Sequence, residues 1–180
     1  WIMSQIILDE GAAPSTPASG KLAIFVGTDK KPTAKDDTGL EIKLSTILET
    51  VVSISGTAID FSIPVGVKEV LVMFSGVSIS GTAEMLVQLG TASGIENSGY
   101  VSACGSDSTT AGFVVPSVSS STVTTGHMWI TIIDPATFEF VESCSFRINT
   151  TSGIAGAGNK TLAGELTQLR ITTTNGTDTF

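Results

Sequence analysis

Few side chains in this sequence belong to the types that perform nucleophilic or acid–base chemistry. His127 is the only histidine, so any Ser-His-Asp triad would have to form around it. Triads are recognised by geometry, and the chain contains no Gly-x-Ser-x-Gly segment that would present a nucleophilic serine. We therefore interpret His127 as a solvent-facing or turn histidine.

The acidic side chains show no pairing that predicts glycoside hydrolysis. A glycosidase needs two carboxylates facing each other across a cleft. The candidates are scattered along the chain as Asp60, Glu84, Glu96, Asp107, Asp134 and Glu142. A depolymerase site built between subunits stays open as an alternative, although the chain is short for one. We predict no catalytic residues and no enzymatic activity.

The sequence also offers little to a metal or a cofactor. Cys104 and Cys144 form no Cys-x-x-Cys pair, and one histidine cannot complete a zinc site within one subunit. Asp36 and Asp37 lack the regular acidic spacing of a calcium loop and are interpreted as a solvated turn. The glycine-rich run 153–158 lacks the Gly-Lys-Ser/Thr ending of a phosphate loop. We interpret it as a flexible loop, and we predict no metal and no cofactor.

The two cysteines leave one question open. No basic region precedes the short apolar segment Ile6–Leu8, so a cleaved secretory signal is not expected. Without secretion, Cys104 and Cys144 are expected to be reduced and partly buried, and a disulfide between them is the alternative. Trp1 and Ile2 stand ahead of Met3, which we take as the natural start.

Charge and composition narrow the classes of partner. The chain has 9 basic and 17 acidic residues, a net charge of −8, whereas nucleic-acid binding requires clustered Lys and Arg. Val70–Ala83 is too short to cross a bilayer, so we expect no membrane insertion. Charged residues make up 14% of the chain, below the usual quarter. Such a neutral surface favours packing against sister chains; a monomeric sandwich with a Ser/Thr-rich exterior is the alternative.

The body of the chain is predicted to be all-β. Short runs rich in Val, Ile, Thr and Phe are separated by Gly, Ser, Asn and Pro at spacings typical of an antiparallel sandwich or jelly roll. The predicted strands are Val51–Ser55, Ala58–Ser62, Glu69–Ser78, Glu84–Leu89, Gly99–Ala103, Thr122–Ile133, Glu139–Ile148 and Leu166–Thr174. Leu44–Val51 is expected to form either a small linker helix or a continued strand.

Two of these segments carry more detailed predictions. Pro135 presets a turn between the strands that flank it, so Thr122–Asp134 and Phe138–Asn149 are predicted to form one long antiparallel hairpin. Apolar residues alternate with Trp129, Thr131 and Ile133 in the first of these strands. That pattern predicts a strand covered on both faces.

The amino-terminal part has a different organisation. Lys21–Val26 alternates as a strand, Gly27–Pro32 supplies turn residues, and Lys35–Leu44 returns through the Asp37-Thr38-Gly39 turn. We predict an extended arm over residues 1–20, a β-hairpin attachment region with a linker over 21–50, and a β-sandwich over 51–180.

Two segments resemble a known class of protein. Residues 14–44, with their TP-A/S-G-K strand followed by KDDTG, resemble the amino-terminal part of bacteriophage fibre and other virion appendage proteins. Residues 56–180, with IDF-IP-G-VK, a QLG turn and the LRITT-NGTDTF run, resemble a domain at the carboxyl end of phage tail-fibre proteins. In that pattern one more strand usually follows the last run, so a final strand after Phe180 is expected to be missing.

The resemblance implies a structural virion protein that forms a projecting tail fibre, head fibre or knob. It also implies a homotrimer located in the virion, attached to capsid or tail proteins through its amino-terminal region. The alternatives are a capsid decoration protein and a receptor- or carbohydrate-binding module that contacts host surface glycans. Such a module would use the predicted loops Ser106–Gly112 and Thr150–Lys160.

Overall fold

The computed structural model describes residues 12–26, 32–43, 56–116, 120–149 and 152–180. Within these ranges the chain forms strands, turns and bends, with no helix. It divides into two compact units, residues 1–51 and 52–180. Three predicted features lie outside the described residues: the strand Val51–Ser55, most of the turn Gly27–Pro32, and all of the helix or strand Leu44–Val51.

The first unit contains an antiparallel sheet of three short strands in the order β1-β2-β3. They are β1 (Ala23–Val26), β2 (Pro32–Lys35) and β3 (Glu41–Lys43). The predicted turn Asp37-Thr38-Gly39 is confirmed between β2 and β3, so the segment Lys35–Leu44 holds this turn and is not one continuous strand. The Asp36 carboxylate accepts hydrogen bonds from the backbone N–H groups of Thr38 and Leu40, both at 2.9 Å. These bonds form a turn and remove the donors that a continuous strand would need.

The second unit is built from eleven strands. They are β4 (Ala58–Ser62), β5 (Glu69–Val77), β6 (Met85–Thr91), β7 (Gly94–Ile95), β8 (Tyr100–Cys104), β9 (Asp107–Thr109), β10 (Phe113–Val115), β11 (Thr124–Asp134), β12 (Glu139–Ile148), β13 (Ser152–Thr161) and β14 (Gln168–Thr173). A five-stranded sheet has the order β10-β6-β14-β4, with β7 also paired to β6. A six-stranded sheet has the order β5-β11-β12-β13-β8-β9.

One hydrophobic core lies between these two sheets. Val87 and Leu89 of β6 and Met128 and Ile130 of β11 are fully buried. Aromatic rings meet edge to face, Phe74 with Phe146 at 5.5 Å between centroids and Tyr100 with Phe113 at 5.1 Å. The predicted all-β, sandwich-like fold is confirmed. The jelly-roll connectivity and the extended arm over residues 1–20 stay predictions.

The predicted hairpin around Pro135 is confirmed. β11 and β12 pair antiparallel from Thr124 opposite Ile148 to Asp134 opposite Glu139, with a bulge between Ile132 and Asp134. In the turn, the Asp134 carboxylate accepts a hydrogen bond from the N–H of Ala136 at 2.9 Å. Phe138 adopts φ 55°, which closes the turn before β12 begins.

The predicted loop Thr150–Lys160 is wrong over most of its length. Ser152–Thr161 forms β13, which pairs with β12 along ten positions and with β8 along five. The segment is rich in Gly and Ala, which have low strand propensity, but strand propensity depends on the neighbouring strands. The loop predicted at Ser106–Gly112 likewise contains β9.

The prediction that β11 is covered on both faces is also wrong for the described chain. Met128 and Ile130 are fully buried, whereas Trp129 is 45% exposed and Ile133 is 55% exposed. The alternation within β11 therefore separates a core face from a surface face that is itself partly apolar. This surface face belongs to the six-stranded sheet.

Candidate functional site

The polar side chains with possible chemistry are distributed over separate places in the second unit. His127 is exposed on β11, where its register neighbours are Met73 and Ser145. Neither neighbour is an acid or a base. Across the described residues, no three His, Cys, Asp or Glu side chains are grouped so that they could hold a metal ion.

Several of the scattered carboxylates of the sequence make separate structural contacts. Asp60 pairs with Arg170, Glu96 with Lys160, and Glu84 accepts a hydrogen bond from Thr174. Asp134 closes the β11–β12 turn, as described above. The Asp36 and Asp37 pair also serves a turn, since the Asp37 carboxylate accepts a hydrogen bond from the N–H of Gly20 at 2.7 Å.

A partly buried ion pair joins Lys160 of β13 to Glu96. The Lys160 ammonium is 2.5 Å from the Glu96 carboxylate and 5.3 Å from the centre of the Tyr100 ring. Burial acts to raise the pKa of Glu96, but hydrogen bonds from Lys160 and from the N–H of Ala163 outweigh it and lower that pKa. The Tyr100 hydroxyl accepts a hydrogen bond from the N–H of Leu89 at 2.7 Å. Burial raises the pKa of Tyr100.

A second buried polar group occupies the middle of the core. Glu142 and Cys144 point inward from β12, next to Cys104 of β8 across the intervening glycine Gly156. The Cys104 and Cys144 sulfurs lie 3.3 Å apart and both thiols are free. The hydrogen bond to Cys104 and burial raise the pKa of Cys144, so it is a poor nucleophile at neutral pH.

Glu142 is the most unusual member of this group. It is 3% exposed, and neither carboxylate oxygen has a hydrogen-bond partner. Burial raises the pKa of Glu142, with a smaller opposing effect of the neighbouring Cys144 thiol. The group lies inside the packed core, where it has no open access for a substrate.

An open cleft of about 350 Å³ lies against β6 and β14. Its polar lining includes Gln88, Asn97, Arg170 and Asn175. The Arg170 guanidinium is already held by Asp60 in two hydrogen bonds of 2.6 and 2.8 Å. The hydrogen bond from Arg170 lowers the pKa of Asp60. No aromatic ring lines the cleft among the described residues, so it offers no platform for a sugar to stack on.

The largest unusual surface is the outward face of the six-stranded sheet, which we call the Trp129 face. Strand alternation and register place on its middle part Leu71, Met73, His127, Trp129, Val141, Ser143, Ser145, Ala155, Ala157, Asn159, Val101 and Ala103, and toward its ends Glu69, Asp134, Glu139 and Arg147. Leu71 is opposite Trp129, and Met73 is opposite His127. Leu71 is 50% exposed and Met73 is 73% exposed, so the apolar side chains form one contiguous patch at the β5 edge.

Sequence reasoning missed Leu71 and Met73 as surface residues. The signal was present, because Val70–Phe74 is apolar at every position, which is typical of a strand with two apolar faces. It likewise missed the buried Glu142, for which the alternation Phe140-x-Glu142-x-Cys144 on one face was the available signal.

The described residues contain no helix that is long and apolar enough to span a membrane. Comparison of the chain with protein-family models, with curated proteins and with solved structures finds no match. The fold and the geometry define an all-β sandwich with one outer face that is partly apolar and uncharged in its middle.

Proposed function

We propose that this chain is a non-enzymatic structural protein of a bacteriophage virion. The sandwich forms a projecting fibre or knob in a homotrimer, and residues 1–50 attach it to capsid or tail proteins. Two lines of support come from the sequence: the resemblance of residues 14–44 and 56–180 to virion appendage proteins, and the low charged fraction of 14%.

The observation that carries the proposal is the Trp129 face. Monomeric proteins rarely leave a large, contiguous apolar patch in water, and such patches mark interaction sites. Two charged pairs elsewhere in the sandwich, Arg170 with Asp60 and Lys160 with Glu96, make structural contacts. The geometry therefore supports assembly more strongly than chemistry.

Attachment through the amino-terminal region follows the logic of multivalency. An extended segment loses conformational entropy when it docks. Three such segments on one trimer would raise the effective concentration of the second and third contacts. A weak contact with the capsid or tail could then hold stably.

The attachment role is tested by deleting residues 3–44 and measuring incorporation into virions. The matched control replaces the same residues with a Gly/Ser linker of equal length. We expect both variants to keep the circular dichroism spectrum of a folded sandwich and to be lost from purified particles. Incorporation at the wild-type level would rule out attachment through this region.

A receptor- or carbohydrate-binding module is the second candidate, because Trp129 presents a partly exposed aromatic ring on the outward face of the six-stranded sheet. Sugar rings stack on such side chains. This function predicts saturable binding to host cells or to their surface glycans. It also predicts at least a tenfold loss of affinity in Trp129→Ala, and unchanged binding by that variant would exclude the Trp129 face as the sugar site.

A further inference from the structure

We infer that the Trp129 face is covered by a second copy of this chain, and that this contact joins the protomers of the assembly. The inference deepens the proposed function by assigning its self-association to a surface. It rests on the self-association part of that proposal and not on the location in a virion.

The Trp129 face exposes large apolar side chains at the β5 edge. Leu71, Met73 and Trp129 lie side by side at the β5 edge, and each is at least 45% exposed. Met and Trp are enriched at the centres of protein interfaces, where they bury large areas. Along the described residues β5 pairs only with β11, so its other edge adds unpaired backbone groups to the same corner.

The shape of the Trp129 face also suits a protein contact. Beyond β11 the outward positions carry small side chains, Ser143 and Ser145 on β12 and Ala155 and Ala157 on β13. Side chains of this size let another protein surface approach closely. Six strands at about 4.8 Å spacing and about 33 Å length along β11 and β12 give a face of at most about 800 Å². A stable interface buries about 800 Å² per partner.

The distribution of charge on the Trp129 face favours a second copy. The chain has a net charge of −8, so two copies repel each other through most of their surfaces. On the Trp129 face the charged residues of β5, β11 and β12 are Glu69, Asp134 and Glu139 toward one end and Arg147 at the other. The middle of the face, around Trp129, therefore carries no charge, and a copy of this acidic chain can approach that part without charge repulsion. A basic partner would gain little there.

A glycan and the amino-terminal unit are the other molecules or segments that could cover the Trp129 face. Among the described residues of this face Trp129 is the one aromatic side chain, so a sugar would have a single ring to stack on. Leu71 and Met73 beside it have no role in sugar binding but suit a protein contact. Residues 1–51 of the same chain are the remaining segment that could cover the Trp129 face. The fluorescence measurement below distinguishes them from a second copy.

The experiment measures the mass of the full chain by light scattering over a range of concentrations. Wild type is compared with Met73→Glu on the face and with Val65→Glu as the matched control. Val65 is 75% exposed in the turn between β4 and β5, so both variants place the same charge at an equally exposed apolar position. We expect an oligomer for wild type and Val65→Glu, and loss of the oligomer to the chain mass of 18.5 kDa in Met73→Glu.

Two outcomes would overturn the inference and they are distinguishable. If Met73→Glu keeps the wild-type oligomer, the copies associate through another surface and the self-association part of the proposed function stands. If wild type is a monomer at all concentrations, both fail, while the virion incorporation test of the deletion remains independent.

A second measurement avoids substitutions on the face. The chain has two tryptophans, Trp1 and Trp129, so Trp1→Phe leaves Trp129 as the only indole. We expect iodide quenching of its fluorescence to increase on dilution, in parallel with dissociation of the oligomer. Protection that stays constant on dilution, and that a deletion of residues 1–51 abolishes, would assign the face to the amino-terminal unit and refute the second copy.

Discussion

Glu142 lies in the sandwich core without a hydrogen-bond partner for either oxygen. Because its folded-state pKa is raised above the ordinary 4.5, the protonated form is favoured in the native protein. The stability associated with this carboxyl is therefore fully present below about pH 4.5 and is lost as the pH rises through the raised pKa. A buried group of this kind makes the protein less stable in neutral and alkaline solution.

We expect Glu142→Gln to stabilise the protein at pH 8 and to have little effect at pH 4, because the amide resembles the protonated acid. The expected gain at pH 8 is about 1–3 kcal/mol, the range for an uncompensated buried polar group. Urea unfolding at both pH values measures it, with the exposed Glu69→Gln as a control for the change in net charge. An equal effect of Glu142→Gln at pH 4 and pH 8 would contradict this explanation.

The two thiols lie close together, but their backbones do not. Cys144 and Cys104 are on strands separated by β13, with Gly156 between them in register. Two strand spacings give a Cα separation of about 9.6 Å, whereas disulfides span about 4.4–6.8 Å. The sulfur separation of 3.3 Å thus comes from side chains that reach toward each other over a glycine.

We therefore expect both cysteines to stay reduced during purification in air. Ellman's reagent should detect almost no thiol in the native protein, since both are buried, and two thiols per chain after unfolding without reductant. A parallel sample unfolded with reductant that is then removed gives the reference value. Finding no thiol in the first sample and two in the second would demonstrate a Cys104–Cys144 disulfide and contradict the prediction.

At the scale of elements, β13 shows what the sequence could not reveal. Its neighbours β11 and β12 follow the hydrophobic alternation that predicts strands, and both were placed within two residues of their observed ends. β13 has glycines at inward positions 156 and 158, so Ile154 is the one apolar side chain among its inward positions 154–160 and gives no alternation. Those glycines make room for Cys104, Cys144 and Glu142 on the flanking strands, a requirement that only the assembled sheet imposes.

The same glycines give a test of this packing. A Cβ at Gly156 would clash with the carbonyl oxygen of Ala103 and lie 2.7 Å from the Cα of Cys104, whereas a Cβ at Gly153 meets nothing within 4 Å. We expect Gly156→Ala to destabilise the protein by about 1–3 kcal/mol through overpacking. Gly153→Ala, on the same strand, should be neutral or stabilising by up to about 1 kcal/mol. Equal unfolding midpoints in urea for both variants would refute the tight packing.

At the scale of the whole molecule, the all-β class followed from composition and turn spacing, because these depend on local chemistry. The surface that we propose for assembly could not be predicted from composition and turn spacing. The alternation of β11 indicated two apolar faces, but whether the face bearing Trp129 is covered inside one chain or between chains depends on tertiary and quaternary structure. Leu71 joins Trp129 in a patch only through the pairing of β5 with β11.

The division into units at residues 51 and 52 leads to the last prediction. The core described between the two sheets is formed by residues of the second unit alone, and 129 residues are enough to bury a stable core. A fragment of residues 52–180 should therefore fold without the first unit and unfold cooperatively, within a few degrees of the full chain's transition in calorimetry. Circular dichroism of the fragment should show strands without helix. A fragment that lacks a cooperative transition, at concentrations where the full chain has one, would mean that residues 1–51 complete the sandwich and that the two units fold as one.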